Sequence, residues 1–425
     1  MTSHVLHGRG DVLVPDVPGA VFTSIAKPPA TPLTDPSAAV RNVLENPIGS
    51  RPLAELAQGR ASACIVICDI TRPVPNHLFL RPMVETLVEA GIPLEAITIL
   101  VATGLHRPNL GPELDELVGD PWVVANVRIG NHFARDEAML VDLGRTSTRG
   151  TPIHLNRLFV EADLRIVTGL IEPHFMAGWS GGRKVVAPGV AGHETIRTFH
   201  SHRFMADPLA IQCNLAGNPL HEEQLQIVAA VGEIYALSTV IDEQRRLLQV
   251  TFGDVIASHQ VAVDFAAGLC EVAVARRFHT VVTSSAGYPL DKTYYQTVKG
   301  MVTPLDILEP GGTLIMVSEC EEGLGSPEFA ESQARLAALG PKPFLEQITP
   351  KRLADIDEWQ TQMLAQAMLR ARIQLFGARI APDQQQLACV EVIDDLAVAI
   401  AASIERSGDP AVAVIPEGPY VVPVV

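Results

Sequence analysis

Acids, histidines and cations recur in this sequence at one kind of position, just past an apolar run. Asp69, Thr71 and Arg72 stand in DITRPVP, Thr103, His106 and Arg107 in ATGLHRP, and His174 in EPHFMAGW, which continues into SGGRK with Lys184. Farther on, Ser284 and Ser285 lead into GYPLDKTYYQTVKG, which carries Asp291, Lys292, Gln296 and Lys299. Two imidazoles in separate stretches, His106 and His174, suit a paired acid and base, because imidazole titrates near neutrality and can give or take a proton. Each stretch taken singly also reads as turn chemistry: Asp and Pro favour turns, Arg72 can pair with Asp69, and loop histidines are common at surfaces. The convergence of several such stretches, more than any one of them, points to a site.

HETIRTFHSH adds His193, His200 and His202. Imidazole suits nickel, copper, zinc and iron. This spacing is not HExxH, however, and no Cys or carboxylate at suitable spacing completes a tetrahedral set. A metal here would take most of its ligands from something other than these side chains. In SGGRK, Gly181 and Gly182 leave backbone amides free to approach an anion; a tight turn with exposed cations is the plainer reading. Lys184 is followed by Val185, so the Walker pattern is missing, as is a complete GxGxxG. Classical ATP or NAD binding is not expected.

The elements that must position these residues follow a strand–helix–strand grammar. SACIVICDI, AITILVATG and DLRIVTGL are continuous apolar runs with β-branched residues, expected as buried parallel strands. HLFLRPMVETLVEAG, GPELDELVG and HEEQLQIVAAVG read as helices between them, and EIYALSTVID with LLQVTFG as a strand pair. A second α/β unit follows, with HTVVTSSAG and GGTLIMVSE as strands and TYYQTVKGMVTPLDIL, LADIDEWQTQMLAQAMLRAR and LAVAIAASIERSG as helices. The expected fold class is α/β: two domains, 1–266 and 267–425, with mostly parallel sheets flanked by helices and the active site in the cleft between them. Ligands of such sheets bind beyond the carboxyl ends of strands, where the residues above lie.

Bulk properties narrow the class. The chain has 425 residues, 47% of them hydrophobic, enough for two or three well-buried domains. The formal net charge of −16 argues against nucleic acid or an anionic membrane as main partner. Six scattered cysteines without a CxxC suggest reduced thiols and a cytoplasmic setting. MTSHVLHGRGDV lacks the apolar core of a signal peptide, and no apolar run is long enough to span a membrane.

Taken together and in order, DITRPVP, TGLHRP, EPHFMAGWSGGRKVVAPGVAGHETI, GNPLHEE and SAGYPLDKTYYQTVKG closely resemble the lactate racemase family, which uses a nickel-pincer nucleotide. The resemblance covers nearly the whole chain. It implies a pyridinium mononucleotide bearing sulfur substituents, tethered through a thioamide to Lys184, with nickel bound by one ring carbon, two sulfurs and His200. It further implies His106 and His174 as the acid–base pair, Arg72 and Lys299 with Gln296 as holders of the substrate carboxylate, and Asp69, Gly181 and Gly182 beside the cofactor. The implied reaction inverts C2 of a 2-hydroxy acid: a histidine takes the hydroxyl proton, hydride leaves C2 for the cofactor, and it returns to the opposite face of the bound 2-oxo acid. The protein would orient and neutralise charge while the cofactor does the hard chemistry, and partner enzymes would have to make that cofactor.

The departures from the family pattern bear on substrate. Met176 and Trp179 in FMAGWSGGRK, and His202 with Arg203 after His200, suggest either a second cation for a dicarboxylate such as malate or an aromatic floor for an apolar tail; packing is the plainer reading of a lone Trp. The rival mechanism is a divalent-metal epimerase or lyase that abstracts the C2 proton directly, for which Glu172 or Glu194 would have to be ligands.

Overall fold

Parallel strands buried on both faces carry no polar alternation, and the apolar runs form such strands. In the computed structural model, which describes residues 3–425, one six-stranded sheet is built from Ala63–Cys68, Ile97–Ala102, Arg128–Asn131, Leu164–Leu170, Tyr235–Ile241 and Leu247–Asp254. Ranked by chain position they lie side by side as 3-2-1-4-5-6. All pairs are parallel except the last, where Tyr235–Ile241 and Leu247–Asp254 form an antiparallel hairpin. Ile65, Val66 and Ile67 have no exposed surface, as a strand covered on both faces requires.

This order puts the reversal of winding between Ala63–Cys68 and Leu164–Leu170, which pair directly. Loops leaving two adjacent strands at a reversal point diverge to opposite faces and leave a crevice between them. Asp69 and Arg72 leave the first of these strands, and Glu172 and His174 leave the second.

The second sheet is wholly parallel: Glu391–Ile393, Arg372–Phe376, Leu308–Val317, Phe278–Ser284, Ala411–Ile415 and Val21–Ser24, in that spatial order. The division at 266/267 expected from the sequence therefore differs from the sheets in one respect. Val21–Ser24 pairs with Ala411–Ile415 at the edge of the second sheet, so the chain begins in the second unit and crosses to the first. It crosses back after the helix Ala257–Cys270, where Glu271–Ala273 pairs with Val422–Val424.

Candidate active site

SGGRK sits where the chain leaves Leu164–Leu170, and its conformation is set by packing. Gly181 and Gly182 have φ of +72° and +49°, a region where a Cβ is disfavoured. A Cβ on Gly181 would lie 2.5 Å from Ile171 Cδ1, and one on Gly182 would lie 2.7 Å from the ring of His259. Gly181 lines the cavity described below, whereas Gly182 does not; its missing side chain makes room for His259. Arg183 turns inward as well. Its guanidinium donates to His221 Nδ1 at 2.8 Å and to the Ala177 carbonyl at 2.9 Å, and meets His259 Nε2 at 3.0 Å. GNPLHEE braces the same loop: Asn218 caps the helix Pro219–Val231 and donates to the Met176 carbonyl. With Arg183 anchored on one side, the next residue, Lys184, faces the cavity.

That cavity measures about 130 Å³ and is lined by Asp69, Arg72, His106, His174, Lys184, His200 and Lys299, among others. Residues from both units thus meet in one space, as the sequence pattern suggested. Gln296 stands one step back, accepting a short hydrogen bond from Lys299 Nζ. A second cavity of about 560 Å³ shares Asp69, His106, Tyr295 and Asp357 with the first.

The two histidines are held in opposite senses. His106 Nδ1 lies 2.6 Å from Asp69 Oδ2, and because a carboxylate only accepts, Nδ1 carries a hydrogen, so that Nε2 is the nitrogen left to lose or take a proton. Burial alone would raise the Asp69 pKa, but the charge and hydrogen bond of His106, with Thr71 and Arg72, hold it at about 2. His174 Nδ1 instead accepts from the backbone N–H of Met176 at 3.5 Å and of Ala177 at 3.3 Å. Burial, then Lys184, Lys299 and Arg72, hold its pKa well below the usual histidine value, so the ring is neutral with its hydrogen on Nε2.

His200 is the C-cap of the helix His193–Phe199, and its Nδ1 donates to the Ile196 carbonyl at 2.8 Å. Burial brings its pKa down to about 3, so Nε2 is an unprotonated donor of the kind metals take. Phe199 and Trp359 flank the ring, each with its centroid 4.7 Å away. Among the described residues there is no cluster of three or more His, Cys, Asp and Glu that could hold an ion.

Lys184 is partly buried at the wall of the cavity. Burial, then Arg72 and Arg183, lower its pKa from 10.5 to about 7, leaving much of the amine uncharged and nucleophilic at neutral pH. Lys299 is pushed well below its ordinary value by burial, then by Arg72 and Lys184. Three basic side chains pressed together in this way form an anion receptor whose mutual repulsion a bound carboxylate would relieve.

Several residues singled out from the sequence lie elsewhere. Glu172 Oε2 sits 3.5 Å from Arg72 Nε and Glu194 is half-exposed near His154, so the two carboxylates do not assemble into a metal site. Trp179 is buried and donates to the Cys213 carbonyl, away from the cavity. Arg203 is exposed over the Phe204 ring, and neither His193 nor His202 lines the cavity. Arg107 forks onto Glu113, Lys292 binds Glu322, and Asp291 accepts from the backbone of Gly8 and Glu319. Conversely, Tyr295, Asp357, Trp359 and Gln360 line the cavity and were not singled out. Tyr295 and Trp359 are joined by an indole-to-hydroxyl hydrogen bond of 2.9 Å.

Residues 8–212 match the lactate racemase N-terminal domain and residues 274–423 the lactate racemase C-terminal domain. The chain is 35% identical over 382 residues to a lactate racemase of Lactiplantibacillus plantarum, covering 89% of both chains. It is 32% identical over 340 residues to a lactate racemase of Thermoanaerobacterium thermosaccharolyticum, covering 79% of this chain and 78% of that one. The solved structure of the lactate racemase apoprotein from the same organism superposes with a TM-score of 0.89 at 27% identity, covering 100% of both chains.

Proposed function

The chain belongs to the lactate racemase family, and we propose that it inverts C2 of a 2-hydroxy acid with His106 and His174 as its acid–base pair. The family works with a nickel-pincer nucleotide, and the residues present fit that group. A buried amine brought near neutrality at Lys184 would carry the thioamide tether. The bare Nε2 of His200 would be the protein's ligand to nickel, the remaining ligands coming from the nucleotide itself. When bound, the nucleotide supplies a reversible hydride acceptor for C2.

The protein's own part is to hold and to move protons. Arg72 and Lys299 clamp the substrate carboxylate, and Gln296 orients the Lys299 ammonium. The clamp keeps the 2-oxo acid in place while its carbonyl turns. Nε2 of His106, backed by Asp69, takes the hydroxyl proton of one enantiomer and releases it to solvent; His174 passes a proton through Nε2 to the alkoxide of the other and takes one back from solvent, which restores both rings. Running in reverse exchanges the roles, so each histidine serves one hand of the substrate.

The observation that carries this reading is the enclosure of Lys184 and His200 in one cavity between two histidines of opposite tautomer. Its test is intact-mass and nickel analysis of protein matured with the cofactor-making enzymes, its expected partners. Wild type is expected to carry a nucleotide adduct and about one nickel per chain, and Lys184→Ala to carry no adduct. An unmodified Lys184 after full maturation would count against the tether. No helix among the described residues is long and apolar enough to cross a membrane; a cytoplasmic setting is the reading that six free cysteines favour.

A further inference from the structure

Gln360 lies on the helix Glu358–Arg370, one residue past the Trp359 that flanks His200. It has no exposed surface, and neither its amide nitrogen nor its amide oxygen has a hydrogen-bond partner. A buried amide left unpaired at both ends destabilises the fold. Of the described buried side chains with unpartnered polar atoms, Gln360 alone lines the cavity of Lys184 and His200; its neighbours Thr361 and Gln362, also unpartnered, do not. Other groups already answer the common part of a 2-hydroxy acid. The carboxylate has Arg72 and Lys299, and the hydroxyl has His106 and His174. What lacks a counterpart in the substrate is an amide that can both donate and accept.

We propose that Gln360 is a specificity-determining residue that hydrogen-bonds an oxygen carried on C3 of the substrate, so that the enzyme favours 2-hydroxy acids with a hydroxyl or carboxyl at C3 over lactate. The inference rests on the racemase reading and narrows it. A site that offers a buried amide to a polar substituent rejects a ligand lacking it, because binding that ligand leaves the amide unpaired. Met176, Ile196 and Leu105 offer a C3 oxygen no side-chain hydrogen bond, the polar groups of Thr71, Tyr295 and Asp357 are already engaged with Asp69, Trp359 and Ser326, and neither Arg203 nor Trp179 reaches the space.

The test compares loaded wild type with Gln360→Leu, near the same volume and without the amide, on lactate, glycerate and malate. Wild type is expected to show kcat/KM at least about tenfold higher for glycerate or malate than for lactate. Gln360→Leu is expected to lose that preference mainly through KM on the polar substrates, with the Lys184 adduct and nickel content unchanged. In the cofactor-free protein the same substitution should raise Tm, since it removes an unpaired buried amide; a merely structural glutamine would lower Tm and leave the preference alone. An unchanged preference overturns the inference, as does loss of the adduct, which would assign the amide to the nucleotide. Failure of loaded wild type to invert any 2-hydroxy acid would instead overturn the racemase reading itself. If Gln360→Leu does not fold, Gln360→Glu answers the same question, with malate expected to lose most by like-charge repulsion and no such loss counting against the inference.

Discussion

Asp69 Oδ2 stands 2.6 Å from Nδ1 of His106, and this contact decides which nitrogen of that ring is left for the proposed proton transfer. No such carboxylate backs His174, whose Nδ1 takes backbone N–H groups instead. Replacing Asp69 with Asn removes the obligate acceptor and allows the ring to present the wrong tautomer. The expected outcome for Asp69→Asn is a loss of kcat of about 10²–10⁴-fold, with the Lys184 adduct retained on intact-mass analysis. Equal activity of variant and wild type would show that the carboxylate does not set the tautomer.

Lys184 gives the cofactor-free protein a pH signature. In the unfolded chain its amine keeps a proton up to about 10.5, whereas in the folded protein burial, Arg72 and Arg183 release it near 7. Between those values the unfolded state binds more protons, so stability rises with pH across that window. Lysine 299, depressed in the same direction, adds to the slope. The expected result is that Lys184→Met flattens this part of the stability-against-pH curve, measured by urea unfolding at a series of pH values, by on the order of a few kcal/mol. A difference curve that stays level from pH 7 to 10 would mean that Lys184 keeps an ordinary pKa in the fold.

Glu172 stands behind Arg72, 3.5 Å from its Nε, and faces Tyr420 of the second unit. It therefore ties Arg72, half of the proposed carboxylate clamp, to the second unit. Glu172→Gln is expected to raise KM about tenfold while changing kcat by less than about threefold, and to destabilise the fold by about 1–3 kcal/mol through the unpaired guanidinium. Tyr420→Phe should move KM in the same direction by less. A fall in kcat at unchanged KM would place Glu172 in proton transfer rather than in positioning.

Gly182→Ala probes the loop without touching the cavity. The residue has φ +49° and no room for a Cβ against His259. The expected cost is about 1–3 kcal/mol, read as a lowered urea midpoint. A cost below about 0.5 kcal/mol would show that the loop relaxes freely.

The strands were legible because burial on both faces leaves an uninterrupted apolar signature, as in ACIVIC and LRIVTGL. Once strands are placed, the rule that ligands bind beyond the carboxyl ends of parallel strands finds Asp69, Arg72, His106 and His174, since each lies shortly past a strand. Contacts that depend on distant chain segments were not legible. Val21–Ser24 finds its partner at residues 411–415, and no local pattern announces a pairing across that separation. Trp359 and Gln360 sit in EWQTQM, whose spacing says only helix; their nearness to His200 exists only once both units are folded. Arg183 reads as an exposed cation until His221 and His259, from two later helices, are seen to enclose it.

Internal return of hydrogen at C2 is the claim on which the account stands, and one isotope measurement reaches it directly. Loaded protein is given a single enantiomer of a 2-hydroxy acid that it turns over, deuterated at C2, in ordinary water, and the opposite enantiomer is isolated and analysed by mass spectrometry. The account predicts that the inverted product keeps its deuterium at C2. Replacement of that deuterium by solvent hydrogen in step with inversion would contradict it and would point to direct proton abstraction instead.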